Sequence, residues 1–341
     1  MARRSAVPGT IKIDSHTIMA LAVDSAKWII KDILQNLRRV EEALSVVGLL
    51  YLGNVSVAAT WDLLKGVRIH LWPRLFRRNF VKEYGAWAVI AGAEDGMGRG
   101  YAEVLARKGM NVLLVLVTHG DLEDFAQEIR DKYGVEVEIM DVNIYGGELN
   151  CDDVRRKFAR KEIGVLVNNI TGMNANTAII CGAARPDLWR PVGVGVACVP
   201  TITSLVLPAM VGRQKGAVVN VCSPMATLSL TRLHVYTAAK YFLISYSEVL
   251  RYTHRSQGIV VQTVLPAEIP HGMMQYHGAA VLHDVYKLVT PCQSVFAAHA
   301  LSTLGYASTT SGYWIFGVLG WVMNCSPWWL VASFMIARLP V

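Results

Sequence analysis

The chain has 341 residues, of which 53% are hydrophobic and 17% charged, with a formal net charge of +7. That length suits one large α/β domain plus extra segments, and the low charged fraction leaves apolar surface to be placed. The six cysteines (Cys151, Cys181, Cys198, Cys222, Cys292, Cys325) form no CxxC pair, which argues against a disulfide framework or a zinc site and for reduced thiols facing a cytosol.

Residues 1–42 are polar to amphipathic, and IMALAVDSAKWIIKDILQNLRRVEEAL places apolar side chains at three- and four-residue spacing, which predicts a helix. Residues 43–61, ALSVVGLLYLGNVSVAATW, carry no charge. Nineteen residues is near the lower limit for crossing a bilayer. Gly48, Gly53 and Asn54 weaken the segment, so a membrane span or deep anchor and a buried core helix both stay open. The run is too long, and too far from the start, for a cleaved signal peptide. Much of the positive charge follows in RIHLWPRLFRRNFVK, residues 68–82. No nucleic-acid motif accompanies it, so no nucleic-acid partner is expected. Anionic lipid headgroups and a solvated linker are the two readings; Arg38 and Arg39 flank the apolar stretch on one side, and the larger basic cluster on the other favours a cytosolic downstream domain.

From about Tyr84 the pattern alternates. WAVIAG, MNVLLVLV, VEVEIMDV, IGVLVNN, GAVVNVCS and GIVVQTVLP read as strands, with RGYAEVLARKG and EDFAQEIRDKY as helices between the earlier ones. This predicts a doubly wound, mostly parallel α/β sheet of Rossmann type. From Gly312 to Ala337 the chain is again uncharged and is interrupted by Pro327. Two short interfacial helices with Trp314, Trp321, Trp328 and Trp329 at headgroup level would suit it, as would a substrate lid or an oligomer interface. The expected division is therefore 1–83 (amphipathic and anchoring), 84–311 (α/β domain) and 312–341 (apolar, membrane-associated tail).

GAEDGMG, residues 92–98, follows the first strand and opens a helix. Gly92, Gly96 and Gly98 would let the backbone turn tightly and approach a pyrophosphate at the helix N-terminus. Asp141 ends the third strand, where its carboxylate could accept from an adenine amino group or simply close a turn. Asn168 and Asn169 end the fourth strand, where side-chain amides can tie strand ends together. Ser223 ends the fifth strand, 13 residues before Tyr236, and Tyr236 precedes Lys240 by four residues, one helical turn.

The ordered set of glycine turn, NN element, serine and YxxxK pair resembles the short-chain dehydrogenase/reductase family over roughly Tyr84 to Gly312. RIHLWPRL followed by YGAWAVIAGAEDGMGRGYAEVLARKGMNV is similar to its membrane-bound branch, the 17β-hydroxysteroid dehydrogenases and very-long-chain 3-oxoacyl-CoA reductases. LSTLGYASTTSGYW looks like the hydroxysteroid dehydrogenase-like group, often regarded as inactive. The resemblance implies that Tyr236 donates a proton to a carbonyl oxygen. Lys240 would favour the phenolate and hold the nicotinamide ribose, and Ser223 would bond the developing oxyanion. Gly92, Glu94, Gly96, Met97, Gly98, Asp141, Asn168, Tyr236, Lys240 and Ile269 would bind the cofactor. NADP(H) is the cofactor implied, with endoplasmic reticulum as the location and a homodimer as the assembly. Mitochondrion stays open because residues 1–13, MARRSAVPGTIKI, are basic and lack acids.

Several neighbours depart from the family pattern. Ala91 replaces a threonine, and NNAG has become NNIT, with Ile170 and Thr171 bringing β-branched bulk near the cofactor. Gly195 stands where a helix asparagine is expected, and Pro191, Gly193 and Gly195 weaken that helix. Ala267 and His271 replace a glycine and a threonine. Val117 stands in place of an arginine, and Glu94 would repel a 2′-phosphate, which makes NAD(H) the alternative; Asp121 is the nearest acid beyond the second strand. The leading expectation is a membrane-bound oxidoreductase interconverting a ketone and a secondary alcohol on a lipophilic substrate, of steroid or 3-oxoacyl-CoA class. The alternative is an inactive homologue serving as a membrane-tethered binding or scaffold protein.

Overall fold

The computed structural model describes residues 15–75, 78–117, 121–142, 151–170, 192–227, 234–266 and 291–326. The chain divides into two units, Met1–Lys65 and Gly66–Val341. The sheet-bearing unit thus begins ahead of Tyr84 and takes in the described part of the tail.

Helix α1 runs unbroken from Ser15 to His70, 56 residues. Gly48, Gly53 and Asn54 do not interrupt it, and no atom lies within 4 Å of where a side chain at either glycine would begin. A helical glycine costs only about 1 kcal/mol relative to alanine, too little at two positions to break a helix of this length. Its large apolar side chains, among them Leu49, Leu50 and Trp61, are exposed.

In the second unit, seven parallel strands form one sheet in the order β3-β2-β1-β4-β5-β6-β7. They are β1 (Trp87–Ala91), β2 (Asn111–Leu116), β3 (Val137–Asp141), β4 (Ile163–Asn168), β5 (Gly216–Val221), β6 (Ile259–Val264) and β7 (Thr309–Thr310). Strands β1, β4 and β5 are buried at every position, as continuous Val/Ile/Ala runs require when both faces of a sheet are covered. One face packs on α3 (Gly96–Arg107) through Tyr101 and Leu105, and on a late helix through Phe296 and Leu301. The other packs on residues such as Val154, Phe158, Ile202 and Leu243.

The helices follow from local signals. The short α2 (Phe80–Glu83) is capped by Asn79, and α4 (Glu123–Tyr133) ends at Gly134 in the left-handed region, φ 66°. Helix α5 spans Cys151–Ala159, α6 Cys198–Gly212, α7 His234–His254, α8 Gln293–Ser302 and α9 Trp314–Cys325. Arg78 fastens the start of the unit, pairing with Glu83, donating to Tyr84 Oη at 2.7 Å and to the Leu304 carbonyl. Helix α6 is apolar enough to pass for a membrane span, yet Ile202, Val206 and Met210 are buried against the sheet, so it is a core helix.

Candidate functional site

The strand order reverses between β1 and β4, and a crevice at the carboxyl ends of such strands is where ligands bind in open α/β sheets. Every described residue of the sequence-derived site, apart from Asp141, lies around this switch point. Asp141 closes β3 two strands away, exposed and opposite Leu116.

The turn after β1 is built by mutual exclusion of side chains. Gly92 has φ +80°, and a Cβ there would lie 2.0 Å from the Asn169 carbonyl oxygen. A Cβ on Gly98 would lie 2.2 Å from the Gly92 carbonyl oxygen. A Cβ on Gly96 would strike the side chain of Gln293, at the start of α8. The glycines therefore serve the folding of the turn onto β4 and α8 first, and what remains is bare backbone over the N-terminus of α3. Asp95 is the N-cap of α3, accepting from Gly98 N at 2.8 Å. Met97, in the first turn of α3, is buried in the core.

The two asparagines divide their work. Asn168 is fully buried and its Nδ2 donates to Asn220 Oδ1 at 2.8 Å and Thr203 Oγ1 at 3.2 Å, tying β4 to β5 and α6. Its Nδ2 is thus engaged inside the fold as a tie between strand ends, while its neighbour meets the glycine turn. Asn169 Nδ2 donates to the Gly92 carbonyl at 3.0 Å and to Asp95 Oδ1 at 2.6 Å, bracing the glycine turn. Asn169 and Asp95 were absent from the predicted site. The signal for Asp95 was its place directly before a helix start.

Glu94 is half-buried, and its Oε1 accepts from Val117 N at 3.3 Å. A carboxylate therefore joins the glycine turn to the end of β2. Asp121 is exposed, and its Oδ1 accepts from Glu123 N at 2.9 Å at the start of α4.

Helix α7 brings Tyr236 and Lys240 to the crevice. Lys240 is 3% exposed and its Nζ donates to the Ile170 carbonyl at 2.9 Å. The ammonium lies 5.7 Å from the centre of the Tyr236 ring. Tyr236 is half-buried. Ser223 follows β5 and is buried at the foot of a short helical turn, Pro224–Thr227, against which α7 packs. Burial pushes the Cys222 thiol up to about 12, against the opposing charge of Lys240. That thiol is an inert wall of the site at neutral pH. Burial chiefly, with the charge of Glu94, likewise raises the Cys198 thiol.

Helix α6 is entered through a π-helical run, Gly193–Ala197, which also contacts α7. The predicted weakness of the chain here takes the form of a widened turn rather than a break. Gly195 lies within it. Ile170 is buried in the cluster that also holds Val194 and Cys198, so its β-branched bulk packs inward. Pro191, Thr171, Ala267, Ile269 and His271, together with residues 1–13 and 327–341, lie outside the described residues.

Residues 86–281 match the short chain dehydrogenase family. The chain is 34% identical over 310 residues to "Inactive hydroxysteroid dehydrogenase-like protein 1" of Pongo abelii, covering 91% of this chain and 93% of that one. It is 33% identical over 308 residues to "Very-long-chain 3-oxoacyl-CoA reductase" of Homo sapiens, covering 87% and 94%. Among solved structures, a 7beta-hydroxysteroid dehydrogenase superposes with a TM-score of 0.62 at 20% identity, covering 69% of this chain and 91% of that one. L-sorbose reductase from Gluconobacter frateurii, complexed with NADPH and L-sorbose, gives a TM-score of 0.56 at 21% identity, covering 67% and 94%. The two superpositions establish the shared fold.

Proposed function

The chain belongs to the short-chain dehydrogenase family, a family of nicotinamide-dependent oxidoreductases, and from that premise we propose that it interconverts a ketone and a secondary alcohol on a lipophilic substrate at a membrane. The observation that carries the reading is the Tyr236–Lys240 pair, with its ammonium buried against the Ile170 carbonyl beside the crevice.

The residues present fit a dinucleotide. The Gly92–Gly98 turn leaves bare backbone at the N-terminus of α3, which suits a pyrophosphate, and Lys240 has N–H groups beyond the one given to Ile170 for a ribose. The bound cofactor supplies or accepts the hydride. In the reducing direction Tyr236 Oη gives its proton to the carbonyl oxygen, and the ammonium of Lys240 stabilises the phenolate that remains. Ser223 donates a hydrogen bond to the same oxygen as negative charge develops there. Glu94, bonded to Val117 N, supports NAD(H) over NADP(H), because its carboxylate lies between the turn and β2, where it disfavours a further phosphate. The names of the relatives support a steroid or a long-chain 3-oxoacyl thioester as substrate class. The exposed apolar length of α1 supports a membrane anchor. Exposed Tyr241, Val249 and Tyr252 on α7 leave a face that a second copy of the chain could cover.

A second reading, a membrane-tethered protein without turnover, is favoured by the word "inactive" in the names of several relatives and by the altered shell at Glu94, Ile170 and Gly195. Titration of the detergent-purified full chain with NADH and NADPH, followed by nicotinamide fluorescence, separates the two. Micromolar binding, with ketone reduction on a steroid or acyl panel, supports the enzyme. Absence of binding up to millimolar concentration establishes the second reading.

A further inference from the structure

Gln293 is the first residue of α8, and Gly96, the first residue of α3, is pressed against its side chain. A Cβ at Gly96 would lie 1.9 Å from Gln293 Nε2 and 2.5 Å from its Oε1, and a Cβ at Gly100 would lie 2.7 Å from the Gln293 carbonyl oxygen. Gly96 and Gly100 are one helical turn apart on the same face of α3. The Gln293 backbone is therefore level with the second turn of α3, and its side chain runs along that face towards the N-terminus. The amide ends at the first residue of α3, on the rim of the crevice. Gln293 is half-buried, and its amide makes no hydrogen bond among the described residues.

The same rim is short of donors. Gly92 N and Ala93 N both point to the Val115 carbonyl, at 3.1 and 3.5 Å. Gly98 N is taken by Asp95 Oδ1 at 2.8 Å, and Arg99 N by the Asp95 carbonyl at 3.0 Å. Gly96 N and Met97 N are what the first turn of α3 leaves over. The Asp95 carboxylate stands beside them, and its charge repels an anion. Two N–H groups next to a carboxylate match the several oxygens of a pyrophosphate poorly, and a side-chain amide at the same level adds donors.

We propose that Gln293 is a cofactor contact, its Nε2 donating to a phosphate oxygen of a dinucleotide held at the N-terminus of α3. The inference rests on the dinucleotide reading of the site and adds to it a residue from an element outside the glycine turn. Helices α8 and α3 begin side by side, so the positive ends of both dipoles act where the phosphates would lie. Glutamine brings a donor without charge, so it serves an anion without the cost of half-burying a cation. The competing role is structural, with Gln293 a filler that seats α8 on α3.

The test uses the detergent-purified full chain and three probes: NADH, ADP-ribose, which keeps the pyrophosphate, and adenosine, which has no phosphate. NADH affinity is read by nicotinamide fluorescence, ADP-ribose by calorimetry and adenosine by ligand-observed NMR titration. Gln293→Leu removes the amide and keeps a side chain to pack on Gly96, whereas Gln293→Glu keeps the shape and adds a negative charge. Gln293→Leu is expected to weaken NADH and ADP-ribose roughly tenfold, and Gln293→Glu to weaken them further, with adenosine affinity unchanged in both. Unchanged affinity for both pyrophosphate ligands, in variants of a chain that binds them, overturns this contact and leaves the dinucleotide reading standing. Equal losses for adenosine and ADP-ribose also overturn it, by showing that Gln293 acts through the packing of α8 on α3. Failure of the wild type to bind NADH or ADP-ribose removes the dinucleotide reading and this contact with it. If Gln293→Leu does not fold, the near-isosteric Gln293→Glu carries the comparison by itself.

Discussion

Lys240 holds an ammonium at 3% exposure, and a charge so placed needs a partner. The partner is the Ile170 carbonyl, at the end of β4, so the lysine is fixed to the sheet before any ligand arrives. Tyr236, one turn earlier, is more open. Its hydroxyl is the single group whose loss should abolish proton transfer and leave the fold intact. Tyr236→Phe is expected to lower ketone reduction roughly 100- to 10,000-fold, with an unchanged melting temperature and unchanged NADH affinity; turnover assays beside a fluorescence titration check both. Glu94, at the glycine turn, would face the other end of a bound dinucleotide. Replacing it with glutamine keeps an acceptor for Val117 N and removes the charge. At about 6 Å and surface-like screening one unit charge is worth about 1–3 kcal/mol, so Glu94→Gln should raise NADPH affinity roughly tenfold while changing NADH little. These side chains were legible in the sequence because their spacing is local: YxxxK fits one helical turn. The split between Asn168 and Asn169 was not, because adjacent strand residues point to opposite faces, and which face meets the glycine turn depends on how β4 registers with β1.

Among the elements, the glycine turn depends on β4 as much as on its own residues. Asn169 donates both to the Gly92 carbonyl and to the capping carboxylate of Asp95. Asn169→Ala removes both bonds and leaves the turn unbraced. The expected cost is about 1–3 kcal/mol in unfolding free energy, read by denaturant titration, together with a weaker NADH affinity. The seam between α8 and α9 makes a separate prediction. Burial first, then the charges of Arg74 and His70, hold His299 down to about 4, against a usual 6.5. Between those values the unfolded chain binds a proton that the folded chain refuses, so stability is full above the unfolded value and declines as pH falls through this window. The melting temperature should drop on acidification from neutral pH towards pH 4, and His299→Gln should flatten that drop. The strands themselves were plain in the sequence, since β1, β4 and β5 are unbroken apolar runs of a two-sided sheet. The π-helical run was visible only as weakness at Pro191, Gly193 and Gly195; the packing of α6 and α7 decides that it widens rather than ends the helix.

At the scale of the molecule the question left by composition is where the excess apolar surface goes, and α1 takes the largest share of it. Its most apolar stretch is unburied and its side chains meet no core. Between Ala43 and Trp61 it has no charged residue, and 19 residues of helix extend about 29 Å, close to the roughly 30 Å hydrocarbon thickness of a bilayer. In water, each exposed leucine or valine of that stretch forgoes about 1.5–3 kcal/mol relative to burial, so the helix would be driven to find an apolar phase. A core helix of the sheet-bearing unit behaves differently: α6, equally apolar, is satisfied by packing. The two cases separate under alkaline carbonate, which strips proteins held by charge and leaves those held by apolar insertion. Membranes from cells expressing the full chain should retain it in the carbonate pellet. Substituting Leu50→Arg and Val55→Arg, both exposed, should move it to the supernatant without lowering the melting temperature of the sheet-bearing unit. Release of the unaltered chain by carbonate would mean that α1 binds a protein partner instead, and the lipophilic-substrate reading would then lose its supply of substrate from the bilayer.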